Sequence, residues 1–343
     1  MREPAFWWRA GRTGGAASLL APLAAAYGAV SAARLNRRGR RAEIPVVCVG
    51  NLTVGGAGKT PVALAAARML AAAGERPVFL SRGYGGALAG PLTVDPARHR
   101  AADVGDESLL LARAAPAVVA RARVAGAAVA VTAGGSVIVM DDGFQNPSLV
   151  KDVSLLVVDA RRGIGNGRVI PAGPLRAPLA AQLTRADALV VVGTGAGATD
   201  VVAAARVRQM PVFSATLRPD AAVIAALHGT RVLAFAGIGD PEKFFATLAD
   251  AGVAVAATRA FPDHHRYTRA QATSLCREAD SAGLVLVTTE KDLARLIGDD
   301  ATAPLAARAR ALPVVLSFAD ERGFERLLLA RVAQARAADQ GPR

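Results

Sequence analysis

The clearest chemistry in the chain lies in Thr53-Val54-Gly55-Gly56-Ala57-Gly58-Lys59-Thr60, between the apolar run 46–49 and an Ala-rich helical pattern. Glycines let backbone N–H groups curl around phosphate oxygens, and a helix N-terminus adds a favourable dipole. In such a loop Lys59 neutralises the β- and γ-phosphates of a nucleoside triphosphate, and the Thr60 hydroxyl ligates Mg2+. The strict pattern has glycine five residues before Gly58, where this chain has Thr53. The strand–loop–helix context outweighs that mismatch against the plainer alternative of a structural glycine turn. A second stretch, Val137-Ile138-Val139-Met140-Asp141-Asp142-Gly143-Phe144-Gln145, is an apolar strand ending in paired acids. That is the usual partner of a phosphate loop, one carboxylate holding Mg2+ through water, so Asp141 and Asp142 join Thr60 as metal candidates. Taken alone, the two acids have a plainer alternative as the cap of a following helix.

Three other stretches carry weaker signals. In Gly105-Asp106-Glu107, Asp106 precedes a helical pattern and is either an N-cap or a functional acid. Phe261-Pro262-Asp263-His264-His265 holds two of the four histidines beside an acid, which suits a base pair or a metal site. Arg82-Gly83-Tyr84-Gly85-Gly86 follows a strand and is placed to line a site.

These residues need a scaffold, and the hydrophobic pattern describes one. Strand-length apolar runs at 46–49, 78–80, 117–120, 137–140, 155–158 and 189–192 alternate with helical patterns at 59–73, 107–114, 121–133 and 179–185. That βαβ rhythm predicts an α/β fold, a P-loop NTPase-like doubly wound parallel sheet. The rhythm pauses near residue 220, and a second series predicts strands at 232–236, 253–256, 284–287 and 314–317 with helices between and after them. The expected organisation is a membrane-anchoring helix over 1–41, a nucleotide-binding domain over 42–220 and a smaller α/β domain over 221–343. A phosphate loop in one domain and a His–Asp loop in the other suit a cleft that closes for transfer.

At 343 residues the chain is too long for one ordinary core. Hydrophobic residues make up 52% and aromatics only 4%, so the interior is built of Ala, Val and Leu, as buried parallel strands and Ala-rich helices require. Cys48 and Cys276 match no metal-ligand spacing and read as buried thiols of a reduced protein. The formal net charge of +13 admits nucleic acid, anionic lipid or a phosphorylated substrate. No basic run is interleaved with aromatics, which argues against nucleic acid. The basic residues gather instead near the N-terminus. There Phe6, Trp7 and Trp8 precede Arg9 and Arg12, an uncharged run over 14–33 broken by Pro22, and then Arg34, Arg37, Arg38, Arg40 and Arg41. The run is only marginally long and apolar enough to span a bilayer, and arginines on both flanks give no orientation. An interfacial helix with a Trp anchor on anionic lipid fits best; a true span and a helix packed on the body are the alternatives.

Taken together, the chain resembles the tetraacyldisaccharide 4'-kinases of lipid A biosynthesis. The resemblance is carried in order by Gly50-Asn51-Leu52 with the phosphate loop, Ser81-Arg82-Gly83-Tyr84-Gly85, Gly105-Asp106-Glu107 and Asp141-Asp142-Gly143-Phe144-Gln145. It continues through Gly165-Asn166-Gly167, Pro171-Ala172-Gly173-Pro174-Leu175-Arg176, Phe235-Ala236-Gly237-Ile238-Gly239, Phe261 to His265 and Thr289-Glu290-Lys291-Asp292. It implies ATP- and Mg2+-dependent phosphorylation of the 4'-hydroxyl of a tetraacylated glucosamine disaccharide 1-phosphate, giving the 4'-phosphorylated lipid A precursor. It also implies a lipid substrate, a membrane surface at the cytoplasmic face of the inner membrane, and a dyad of Asp106 with a histidine of the Asp-His-His segment, His264 first and His265 second. Asn146, Ala177 and Ser108 depart from the family pattern, where His, Glu and Pro are usual.

Other readings are a membrane-associated P-loop ATPase and a nucleotide-sensing scaffold. Partitioning-type ATPases carry a Lys before the paired glycines, where this chain has Val54, and the guanine-reading Asn-Lys-x-Asp of GTPases is absent.

Overall fold

The structure, a computed structural model, describes residues 3–8 and 15–339. Arg9, Arg12 and the first residue of the uncharged run lie outside them. The chain divides into two compact units, one of residues 1–82, 120–217 and 316–343, the other of 83–119 and 218–315.

The first unit is organised around the strand Val46–Asn51, whose six residues are all buried. Both faces of a central parallel strand are covered, which is why it reads as a continuous apolar run rather than an alternating one. It pairs in parallel with Val137–Asp141 on one side and Val153–Asp159 on the other. The sheet continues in parallel to Pro77–Ser81 beyond the former and to Ala188–Val192 and Val212–Pro219 beyond the latter. Helix Lys59–Ala72 packs its Ala-rich buried side on this sheet. Thus the phosphate loop and the acid-ended strand emerge side by side at the carboxyl edge, where ligands bind in open α/β sheets.

The second unit holds a parallel sheet in the order Ala254–Ala260, Arg231–Ala236, Val285–Thr289, Arg310–Leu312. Its central strand sends Val232, Ala234 and Ala236 into one apolar cluster and Leu233 and Phe235 into another, the period-two alternation of a sheet covered on both faces. Residues 83–119 add the helix Asp106–Ala114, which packs on helix Glu290–Leu296, and an antiparallel pair of Leu92–Thr93 with Ala117–Val119.

The expected division at residue 220 differs from this arrangement in two respects. Residues 83–119, expected in the nucleotide-binding domain, belong to the second unit. Strand Val314–Phe318 and helix Glu321–Asp339, expected in the C-terminal domain, mostly belong to the first. There Phe324 is fully buried against Phe213 and Phe318, and Arg336 pairs with Glu75 at 2.5 Å. Apolar periodicity predicts that a segment is a strand or helix, not which sheet it joins.

At the N-terminus the uncharged run forms helices Gly15–Leu19 and Ala21–Leu35. Among the described residues no helix is long and apolar enough to cross a membrane. The Trp anchor expectation is also corrected. Trp7 is buried and its indole N–H donates to the Pro171 carbonyl at 3.0 Å, while Trp8 donates to Glu3 at 3.0 Å beneath the Arg162 guanidinium. Both rings are therefore held on the body of the first unit.

Candidate active site

Two charged centres carry the sequence-predicted residues, one in each unit. In the first, Gly58 caps helix Lys59–Ala72 with φ 85°, a left-handed conformation that glycine adopts without steric cost. The loop is pinned from outside: the Val54 N–H donates to the Pro174 carbonyl at 2.9 Å, and Thr53 forms an antiparallel bridge with Leu175. That bridge accounts for Thr53 in place of glycine, since the chain is extended there. Glu3 lies against Gly55. Val54, Gly55 and Gly56 keep partial or full exposure, Ala57 is buried, and the Lys59 side chain is 10% exposed.

The Thr60 hydroxyl donates to Asp141 Oδ2 at 3.1 Å, and both residues are buried. Asp142 turns the other way. Arg176 Nη1 lies 2.8 Å and Lys59 Nζ 3.8 Å from its Oδ1. Burial raises the proton affinity of Asp142, but Lys59 and Arg176 outweigh it and hold the carboxyl below its ordinary value. Its φ of 54° is unusual for a residue with a side chain, and such strain concentrates at functional sites. Arg176 also donates through Nε to the Thr53 carbonyl at 3.0 Å, so one side chain ties the loop to the acid-ended strand. Sequence reasoning gave it no role of its own; its only signal was its place in the Pro-Ala-Gly-Pro-Leu-Arg stretch. Gln145 supports the same corner by donating to the Asn51 carbonyl at 2.8 Å.

Thr60 with Asp141 offers an alcohol and a hard carboxylate oxygen side by side. Magnesium typically takes one or two such protein oxygens and completes its shell with water and substrate phosphate. The donor set fits Mg2+.

The second centre is built on Asp106, the first residue of helix Asp106–Ala114. The cap position belongs to Gly105 (φ 84°), where a side chain would run into the Tyr84 carbonyl. Asp106 Oδ1 lies 3.5 Å from His264 Nδ1, with the carboxylate 4% and the imidazole 32% exposed. Tyr84 meets the His264 ring edge-on at 5.2 Å. His264 has φ 55°. His265 is elsewhere, stacked on Phe261 and hydrogen-bonded to Gln271 at 3.0 Å, so the geometry separates the two histidines that the sequence left paired. Burial pushes the Asp106 carboxyl up, yet the His264 contact and the charges of Arg295 and Lys291 prevail and hold it far below the usual range. His264 is raised, chiefly by its contact with Asp106.

Arg295 has no counterpart in the sequence reading. Its Nε donates to Asp106 Oδ2 at 2.9 Å, and Nη2 pairs with the same oxygen. Of the three departures from the family pattern, Asn146 accepts from the Ser148 N–H and hydroxyl, Ala177 is buried with its carbonyl bonded to Gln182, and Ser108 is buried in the Asp106 helix.

Comparison with known proteins gives one answer. The family model for Tetraacyldisaccharide-1-P 4'-kinase (LpxK) matches residues 16–333. A tetraacyldisaccharide 4'-kinase of Rhodopseudomonas palustris is 56% identical over 98% of this chain and 97% of its own length. One from Nitrobacter winogradskyi is 54% identical over 99% and 100%. The solved structure of LpxK from Aquifex aeolicus in complex with ATP superposes with a TM-score of 0.70 at 26% identity, covering 92% of this chain and 99% of that one. The chain therefore belongs to the tetraacyldisaccharide-1-P 4'-kinase family.

Proposed function

We propose that the protein transfers the γ-phosphoryl group of ATP to the 4'-hydroxyl of a tetraacylated glucosamine disaccharide 1-phosphate. The observation that carries this reading is the convergence of Lys59, Thr60 and Asp141 on one phosphate loop, in a family of lipid kinases. Residues 53–60 bind the phosphates, Lys59 neutralising the charge that builds up between β- and γ-phosphate. Thr60 and Asp141, with Asp142 nearby, would hold Mg2+, which shields the phosphate oxygens from one another. The hydroxyl oxygen attacks the γ-phosphorus, the bond to the β-bridging oxygen breaks, and ADP leaves. The hydroxyl proton passes to the Asp106–His264 pair, because an alcohol is a poor nucleophile until its proton has an acceptor.

Helix Ala21–Leu35 supports a membrane-bound acceptor. Its small residues Ala24 and Gly28 face the body, and Gly28 sits against Pro178 and Val169. The large apolar residues face outward: Leu19, Leu23, Tyr27 and Val30 are 82%, 62%, 44% and 69% exposed. Steps of four and three place Leu23, Tyr27 and Val30 on one face of this helix, with Leu19 ending the short helix before it, and Arg34, Arg37, Arg38, Arg40 and Arg41 follow in sequence. An outward apolar stripe beside cations fits the interface of an anionic membrane. We assign the protein to the cytoplasmic face of the inner membrane, where ATP is available.

Incubation with ATP, Mg2+ and detergent-dispersed disaccharide 1-phosphate should add one phosphate to the acceptor, read by mass. ATP hydrolysis with no phosphorylated lipid would instead favour the ATPase reading.

A further inference from the structure

We infer that Arg295 is the positioning residue of the Asp106–His264 pair, holding the carboxylate by Oδ2 so that Oδ1 alone is presented to the imidazole. The inference rests on the reading of that pair as the proton acceptor. The guanidinium is gripped on every side. While Nε and Nη2 engage Asp106 Oδ2, Nη1 donates to the Gly237 carbonyl at 2.6 Å and to Asp292 Oδ1 at 2.8 Å. Asp292 is itself immobilised. Its Oδ1 accepts from the Tyr267 hydroxyl at 2.9 Å and the Gly237 N–H at 3.0 Å, and its Oδ2 from the Thr289 hydroxyl at 2.6 Å. Asp106, Asp292 and Arg295 are all almost completely withdrawn from solvent. Their orientation is thus set by one another and by two strand ends rather than by water.

The charges give the arrangement its chemical sense. Two carboxylates share one guanidinium, which leaves the trio with a net charge of −1 beside His264. Lys291, the other nearby cation, pairs with Glu107 at 2.5 Å. A proton taken from an alcohol brings the group to neutrality, which a buried cluster favours. Only a planar fork can bind Asp106 with two N–H groups while a third bonds Gly237 and Asp292. An ammonium group is a point charge and cannot.

Removing the guanidinium raises the proton affinity of both Asp106 and His264. The other groups facing the pair are Lys291, Asp263, Asp292, Tyr267 and Tyr84. The acid limb of the pH–rate profile then moves to higher pH, whichever of the two takes the proton.

The test compares Arg295→Ala, Arg295→Lys and Asp106→Asn in full-length protein, with ATP and disaccharide 1-phosphate as substrates. For both Arg295 variants kcat should fall about 10- to 100-fold with the KM for ATP little changed, and the acid limb should rise by about one pH unit. Millimolar guanidinium ion should restore part of the Arg295→Ala rate and none of the Asp106→Asn rate. Thermal melting checks that each variant is folded. If Arg295→Ala does not fold, Arg295→Lys decides: wild-type kcat with an unmoved acid limb overturns the inference. Full turnover in Asp106→Asn would instead overturn the reading of the pair, and the role of Arg295 with it.

Discussion

Around Asp142 two cations share one carboxylate; around Arg295 two carboxylates share one cation. The first arrangement is partly open, with the Asp142 side chain 36% exposed, while the second is closed to solvent. An open site with cations in excess around a displaceable anion suits an incoming polyphosphate, whose oxygens can take over Lys59 and Arg176. A closed site with a net negative charge beside the half-buried His264 suits an incoming proton. In the proposed reaction the two centres would differ by sign of charge: the cationic one would stabilise the group that carries the phosphate, the anionic one would take the proton the alcohol must lose.

This contrast can be broken at several points. The largest expected effect is Lys59→Ala, because the γ-phosphate loses its main cation. Turnover should drop more than about 100-fold in a protein with unchanged circular dichroism, and near-normal turnover would remove the phosphate loop from the mechanism. Asp106→Ala and His264→Ala should each cost about 100-fold, with the double variant little worse than the poorer single one, since the pair acts as a unit. His265→Ala should leave turnover near wild type. Additive losses, or a dominant effect at His265, would dissolve the pair. On the phosphate side, Asp141→Asn should raise the Mg2+ concentration for half-maximal rate by about tenfold. Asp142→Asn should raise it less, because Asp142 already faces Arg176 and Lys59. Equal responses in a Mg2+ titration would contradict the different orientations of the two acids.

Smaller effects sharpen the comparison. The Asp106 carboxyl is held below its ordinary value in the folded protein, so its contribution to stability is present above about pH 4 and is lost as pH falls through the folded value. The difference in Tm between wild type and Asp106→Asn should therefore be large at pH 7 and shrink on acidification, as read by calorimetry. A difference independent of pH would mean that the ion cluster is not what Asp106 contributes. Leu23→Glu with Val30→Glu should cut flotation with anionic liposomes several-fold and leave ATP turnover without lipid unchanged. Undiminished flotation would move the membrane contact to another surface.

Much of the phosphate centre was legible because it is local. Eight consecutive residues and the end of one strand hold Lys59, Thr60, Asp141 and Asp142, and the apolar run 46–49 already announces a buried parallel strand. Arg176 was not singled out, because an arginine after Pro-Leu carries no local sign of whom it will pair with. The acid–histidine centre was legible only in part. Asp106 and His264 were candidates through their short motifs, but the choice between His264 and His265 needed the backbone turn at φ 55° and the stacking of His265 on Phe261. Arg295 sits 189 positions from Asp106 in an ordinary helical pattern, and nothing nearby marks it.

By itself the sequence determined most of the strands and helices, though not strand Val212–Pro219 where the apolar rhythm pauses, and it determined the glycine loop and the kinase family, because these depend on periodicity, glycine placement and short contiguous motifs. Tertiary structure alone decided that residues 83–119 join the second unit and the C-terminal helix the first. It alone turned Leu19, Leu23, Tyr27 and Val30 outward while burying Trp7, and it alone gave Asp106 a guanidinium partner. The physical reason is the range of the interactions. Backbone hydrogen bonding and side-chain alternation act over a few residues, whereas burial and ion pairing act between whatever surfaces the finished fold brings together.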